Sequence, residues 1–301
     1  MIEQIVGALM AGALFAGQDQ TQATPLPDVS VTGAPTTYEQ TRQFVEEVSD
    51  RPLHTLTLST WRRPICLQVV NMREEARSAI LDQIERRAAE VGVTVAPTGC
   101  WPNVTILATS DGRFTATELV DAYRGRFQPN REYAQGDNRD LRLFAESEAA
   151  VRWWQVAALI DDVSGRILTV ANHGIADQVD TTPEVFYGQN RRDAILTALV
   201  IVDLSKTSGV SDVAIGDYLS MVILADIDPE ADAGPYPTIL NLWRQGPTSG
   251  GMTAWDRAYL KALYQAEIRL SGAQLQTRSL YQVNEMARII SRELAEEPTT
   301  P

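Results

Sequence analysis

Two kinds of hydrophobic pattern alternate along the chain, one repeating every three to four residues and one forming short apolar runs, so helices and strands interleave. "TTYEQTRQFVEEVSD" carries Tyr38, Phe44, Val45 and Val48 at helical spacing, and "LHTLTLSTW" then alternates as an extended segment. "ICLQVV" and "NVTILAT" are strand-length runs. Between them Ala76, Ile80, Ile84, Ala88 and Val91 recur with a helical period. Thr115 and Glu118 have the spacing of a capping box, and "YAQGDNRDL" reads as a loop. "VRWWQVAALIDDVSGRILTVAN" predicts a hairpin turning at Asp161 to Gly165, and "ALVIVDL" predicts a buried strand. A helix from Asp212 to Ile227, capped by Ser211 and ended by Asp228-Pro229, is apolar around most of its circumference from Val213 onward. It is therefore expected at the centre of the core. Thr253 and Asp256 open a further helix that buries Trp255, Tyr259, Leu260 and Leu263. The pattern predicts one α+β domain over residues 38–270, a mixed sheet with helices, followed by a peripheral helix and tail over 271–301.

With 301 residues, 44% of them hydrophobic, the chain can bury a sizeable core. Its net charge of -13 opposes non-specific binding to nucleic acid or to anionic membranes. The apolar run Ile5 to Ala16 is too short to span a bilayer and has the length of a secretory h-region, with Ala11, Gly12, Ala13 and Ala16 as small residues for cleavage. The expectation is a signal peptide over 1–16, a flexible linker over 17–37 and a periplasmic or secreted mature chain without a transmembrane span. Loss of Glu3 would bring its charge to -13 + 1 = -12. A buried N-terminal helix is the alternative, since the run is preceded by Glu3 and by no Lys or Arg.

Cys66 and Cys100 lie at or just before the two strand-length runs. If those strands pair in parallel, the intervening helix makes a crossover that brings the two starts together. A disulfide there is expected to contribute roughly 3 to 4 kcal/mol through loop-closure entropy. The competing reading makes Cys66 a nucleophile with His54 or His173 as its base.

The helix near 212–227, then Thr238-Ile239-Leu240-Asn241, then "MTAWDRAYLKALY" resembles the C-terminal half of metzincin-type zinc peptidases. That resemblance implies a zinc-binding helix, a tight turn beneath it and a closing helix. Leu240 stands in place of the turn methionine, and Thr253, Asp256, Leu260, Leu263 and Tyr264 match the closing pattern. The metal chemistry departs from it. Two imidazoles at i and i+4 and an adjacent Glu are needed, and this helix offers Asp217 with Met221 and Tyr218 with Val222. No metal and no cofactor is expected. Over nearly the whole chain, "GCWPNVTILAT", "VRWW", "DYLSMVILADIDPEAD" and "WDRAYLKALY" are similar to uncharacterised exported proteins of caulobacter- and sphingomonad-type alphaproteobacteria.

Other chemistry is sparse. Asp226, Asp228, Glu230 and Asp232 alternate, but Ala231 and Pro237 occupy the positions where an EF-hand loop carries Gly and Glu. Trp153 and Trp154 should face opposite sides of a strand, so one of them, or Trp101, is a candidate binding surface. The expected function is a non-catalytic cell-envelope protein on a degenerate zincin-like scaffold, binding an envelope protein or a glycan. The alternative is a periplasmic hydrolase using the cleft carboxylates Asp217 and Asp226.

Overall fold

In the computed structural model, a mixed five-stranded sheet lies between two helical layers of unequal size. The structure describes residues 37–50, 57–127, 138–167, 191–244, 250–266 and 278–296. The expected signal segment, nearly all of the linker, His54, His173 and most of the connection before residue 191 lie outside them.

The sheet is organised around β5 (Arg191–Asp203). Along one side runs β4 (Val151–Asp161), antiparallel. The other side is shared by β1 (Thr60–Trp61), opposite Ala194 and Ile195, and β3 (Val104–Thr109), opposite Ala198 to Asp203, both parallel. β2 (Leu67–Val70) pairs in parallel with β3, in register Leu67 to Val104. The helix between them, α2 (Glu74–Glu90), buries Ala76, Ile80, Ile84 and Ala88, the stripe legible in the sequence. The crossover brings Cys66 and Cys100 together in a disulfide with Cα atoms 6.0 Å apart.

The larger layer contains α1 (Tyr38–Val48), α2, α6 (Asp212–Leu224), α7 (Ala254–Gln265) and α8 (Arg278–Glu296). Phe44, Ile84, Leu219, Met221, Tyr259 and Met286 make its centre. The helix expected at the periphery, α8, packs on α1 and α7 and buries Val283, Met286, Ala287 and Ile290. The smaller layer contains α3 (Gly112–Ala122), α4 (Arg124–Phe127) and α5 (Asn138–Glu146), which close over Trp154 and Ile201.

Three local expectations change, and one gains a partner. The turn at Asp161 forms, with Gly165 at φ 69°, and Ile160 bridges Ile167 in antiparallel fashion, while the rest of the expected hairpin return lies outside the described residues. What periodicity does not show is that β4 also pairs along its length with β5, a pairing that places Trp153 and Trp154 between the layers. α3 starts at Gly112, capped by Asp111 accepting from the Phe114 N–H, rather than at Thr115. Gly112 fits closely there, since a Cβ would sit 3.0 Å from Asp203 Cβ. The end of "YAQGDNRDL" is helical, because Leu141, Phe144 and Ala145 pack in the smaller core. α6 stops at Leu224, three residues early, because the following backbone is captured by the end of α1: Ile227 bridges Ser49, and the Asp228 N–H bonds the Val48 carbonyl at 3.0 Å.

Candidate functional site

A helix whose C-terminal end is buried must satisfy its last carbonyls with something other than water. For α6 the donors are neutral side chains from three other elements. Gln155 Nε2 on β4 donates to the carbonyls of Val222, Ile223 and Ala225 at 2.9, 3.3 and 3.2 Å. Trp61 Nε1 donates to Ile223 at 2.6 Å and the Tyr264 hydroxyl to Leu224 at 2.8 Å. Trp153 Nε1 reaches the Ile227 carbonyl at 3.1 Å. Trp153 is thus spoken for at its polar edge, and only its ring remains for contact.

Asp217, in the middle of α6, is 1% exposed and faces α2. Its carboxylate accepts from Gln83 Nε2, from Arg87 Nε at 2.7 Å, from Arg87 Nη2 at 3.3 Å and from the Met252 backbone N–H at 2.6 Å. Burial acts to raise its pKa, but Arg87, Gln83 and Met252 together hold it below the ordinary carboxylate range. A Cβ on Gly251 would fall 2.3 Å from Asp217 Oδ2, so glycine is needed for this backbone to approach the acid. Every feature here describes an ionic joint between helices.

One residue further on, Tyr218 turns to the opposite environment. It lines a pocket of about 250 Å³ between the start of β4, α6 and the segment after the Ile239–Asn241 turn. Its ring is edge-on to Trp243, with centroids 4.6 Å apart, and to Trp153 at 6.4 Å. Leu240 and Ala231 add apolar wall, and Asp228 and Arg244 stand at the rim. Tyr218 is 8% exposed, yet its hydroxyl has no hydrogen-bond partner among the described residues. Burial pushes its pKa up, so it stays a neutral phenol. The Trp243 indole N–H is likewise buried and unpartnered among the described residues. Arg244 is occupied by Asp232 at 2.9 Å and by the Ala231 carbonyl at 3.3 Å. Asp228 accepts the Glu230 N–H through Oδ1 at 2.8 Å, and burial, with Glu230, Asp140 and Glu47 nearby, raises its pKa.

The turn that supplies one wall is anchored by Asp256. This buried residue accepts from the Thr238 hydroxyl, from the Ile239 N–H at 2.8 Å and from the Thr253 N–H and hydroxyl at 2.8 Å each. It is at once the N3 residue of the α7 capping box and the clamp on the Ile239–Asn241 turn. The capping pair read from sequence therefore also sets the position of the pocket wall.

The remaining candidates are dispersed. Asp226 is 8% exposed and lies beside Asp50, Ser59 and Asp193; burial first, then the Asp50 and Asp193 carboxylates, raise its pKa strongly. Arg87, Gln83 and Met252, which surround Asp217, take no part in the surroundings of Asp226, and neither acid lines the aromatic pocket. Asp232 pairs with Arg244 and Glu230 with Arg139, so the alternating acidic run does not converge on one point. Trp154 is 7% exposed, packs against Phe127 and Phe144 and carries a buried, unpartnered N–H. Neither member of the Trp153-Trp154 pair is an exposed platform, because helices cover both faces of β4. Trp101 is 92% exposed. Among the described residues no group of three or more His, Cys, Asp or Glu is placed to hold a metal ion, and no helix is long and apolar enough to cross a membrane.

Trp243 and the pocket-facing role of Tyr218 were not apparent in the sequence, where Tyr218 counts among the apolar core positions of its helix. The one available signal was two aromatic residues with polar tips placed on either side of the turn. No protein-family model matches this chain. Neither a curated protein nor a solved structure matches it.

Proposed function

We propose that this chain is an exported cell-envelope protein that acts by binding, on a degenerate metzincin-type scaffold, and that the pocket walled by Trp153, Tyr218 and Trp243 is its ligand site. The scaffold reading is supported by the succession of a buried helix, a tight turn at Ile239–Asn241 and a capped closing helix. In this reading Tyr218 and Trp243 take over the place where metal chemistry would have been.

One observation carries the binding reading. Tyr218 lines the pocket with a hydroxyl that has no hydrogen-bond partner among the described residues, although the acid next to it accepts four hydrogen bonds. A pocket-lining hydroxyl left unpaired within the protein is open to a hydrogen bond from a ligand or water. The hydrolase alternative has less support, because Asp217 is committed to Arg87 and shares no neighbour with Asp226.

Ligand-observed NMR with a library of small polar compounds, run against the full chain, tests this. Compounds that bind the natural protein and are lost in Tyr218→Phe, with unchanged thermal unfolding, support the site. An identical set of binders for natural protein and variant would move binding elsewhere. Intact-mass measurement of the chain from its native host tests export, with a mature N-terminus expected after the apolar run ending at Ala16.

A further inference from the structure

We infer that the outer edge of β2, with the groove beside it, takes an extended segment of another protein as an added strand, apolar at alternate positions and basic where it passes Glu85. This surface is separate from the aromatic pocket, and the inference does not depend on the binding reading above.

β2 ends the sheet beyond β3. Backbone groups along a strand alternate in direction, and the register shows which of them are occupied. The Cys66 carbonyl accepts the Val104 N–H at 3.1 Å, so Cys66, Gln68 and Val70 turn toward β3, and Ile65, Leu67 and Val69 turn outward. Ile65 is paired there, donating to the Thr94 carbonyl at 2.9 Å and accepting from the Ala96 N–H at 2.8 Å. The chain then turns away at Pro97, whose carbonyl accepts the Cys100 N–H at 3.3 Å. Leu67 and Val69 are left with their N–H and carbonyl groups in strand geometry and without backbone partners among the described residues. The backbone of another strand is what fits such a row.

A groove of about 840 Å³ borders this edge. Leu67 and Val69 pack on the core of the larger layer, the face that α2 covers, and Leu81, Val93 and Val95 add to the apolar lining. An added strand alternates its side chains as β2 does, so every second one enters this lining. The helix sets the charge. Arg77 is paired with Glu74 at 2.8 Å, whereas Glu85 is exposed and makes no ion pair among the described residues. A Lys or Arg on the incoming segment meets Glu85, and the net charge of -13 steers a basic segment toward the protein. Trp101 supplies an anchor. It is 92% exposed, stands between the groove-lining Cys100 and Pro102, and is tied to the start of β2 by the disulfide. Tryptophan is among the side chains that carry most of the energy at protein interfaces.

A second copy of β2 does not fit this edge. Antiparallel pairing that uses all the open groups sets Leu67 of each copy against Val69 of the other, and this register brings Asn71 opposite Ile65, where Thr94 and Ala96 already sit. Asn71 also has φ 59°, which ends the strand. A free segment can end or bend away at that point.

Selection of a random peptide library displayed on phage against the full chain, followed by fluorescence anisotropy of labelled synthetic peptides, tests this. Enriched peptides should alternate aliphatic residues and carry a Lys or Arg. N-methylation of every second peptide amide should abolish binding in one phase of the alternation and spare it in the other, because only alternate amides face the edge. Val69→Pro removes an outward donor and leaves the ladder to β3 intact. It and Trp101→Ala should each weaken binding about 10- to 30-fold. Glu85→Lys should weaken it about 3- to 10-fold, less at high salt. Val163→Lys, at an exposed apolar position on the Asp161 turn, should leave it unchanged. Failure to enrich any peptide, equal tolerance of methylation in both phases, or binding indifferent to both Val69→Pro and Trp101→Ala would overturn the inference. A dimer in light scattering that dissociates in Val69→Pro would also overturn it, by giving the edge to a second copy.

Discussion

Asp217 and Tyr218 follow one another on α6 and point about 100° apart around the helix. On the Asp217 side, a carboxylate is surrounded by Gln83, Arg87 and the Met252 N–H, and glycine at 251 lets the backbone come close enough. On the Tyr218 side, two aromatic residues with polar tips border an open pocket and bond to nothing among the described residues. The same contrast holds along the helix, whose terminal carbonyls are taken up by Gln155, Trp61 and Tyr264. The Asp217 carboxylate is partnered at both oxygens and the Tyr218 hydroxyl at none among the described residues, which distinguishes the two residues; Gln83 Oε1 and Gln155 Oε1 are also buried without partners, so an open polar atom is not by itself the mark of a site. Burial alone does not distinguish the two, since Asp217 and Tyr218 both lie under a tenth exposed.

The strongest way to break the comparison is to unmake the joint. Asp217→Ala leaves the Met252 N–H and the Gln83 amide without their acceptor and Arg87 with Glu90 alone, and loss of one partner from a buried pair costs about 3 to 5 kcal/mol. Urea unfolding should show it, and a loss under 1 kcal/mol would mean the acid is not structural. Removing the Cys66–Cys100 bridge, which closes the crossover containing α2, should cost roughly 3 to 4 kcal/mol, less any strain. Ligand affinity at temperatures where the domain is folded should not change, because neither cysteine touches the pocket.

Gln155→Leu tests the end of the helix. It leaves the Val222 and Ala225 carbonyls without their side-chain donor, and about 1 to 3 kcal/mol should be lost. Tyr218→Phe has the smallest expected effect on folding, within about 0.5 kcal/mol, because its hydroxyl makes no hydrogen bond to lose. Its effect belongs to binding alone. A clear destabilisation would assign the hydroxyl a structural partner and end the contrast.

Acidity sharpens the comparison further, because two aspartates at either end of this region shift in opposite directions. Asp217 is lowered by Arg87, Gln83 and Met252 against burial, so its contribution to stability is present above the unfolded carboxylate pKa and is lost as pH falls through the folded value. Asp226 is raised by burial and by Asp50 and Asp193, so its contribution is full below the unfolded pKa and is lost as pH rises through the folded value. Asp226→Asn should therefore flatten the decline in urea midpoint on going from acid toward neutral pH. Asp217→Asn should flatten the decline on the acid side.

Local periodicity made much of the scaffold legible. The α2 stripe, the Ser211 cap, the Thr253–Asp256 capping box and the closeness of Cys66 to Cys100 follow from spacing, because each depends on residues near in sequence or on one crossover. Where expectations failed, a distant partner had overridden a local signal. Ile227 left its helix to bridge Ser49, and α5 formed beneath Trp154 despite the loop-like residues before it.

The sequence by itself determined most of the helical segments, that Tyr218 lies on a buried helix and that Trp153 and Trp154 oppose each other across a strand. Only the tertiary structure decided that Asp217 meets Arg87 from α2, and that Trp243 folds back from the turn to meet Tyr218 at 4.6 Å. The physical reason is that a hydrogen bond is satisfied or left open by atoms from other elements. Asp217 and Tyr218 carry no mark in the chain that says which of them will find its partners.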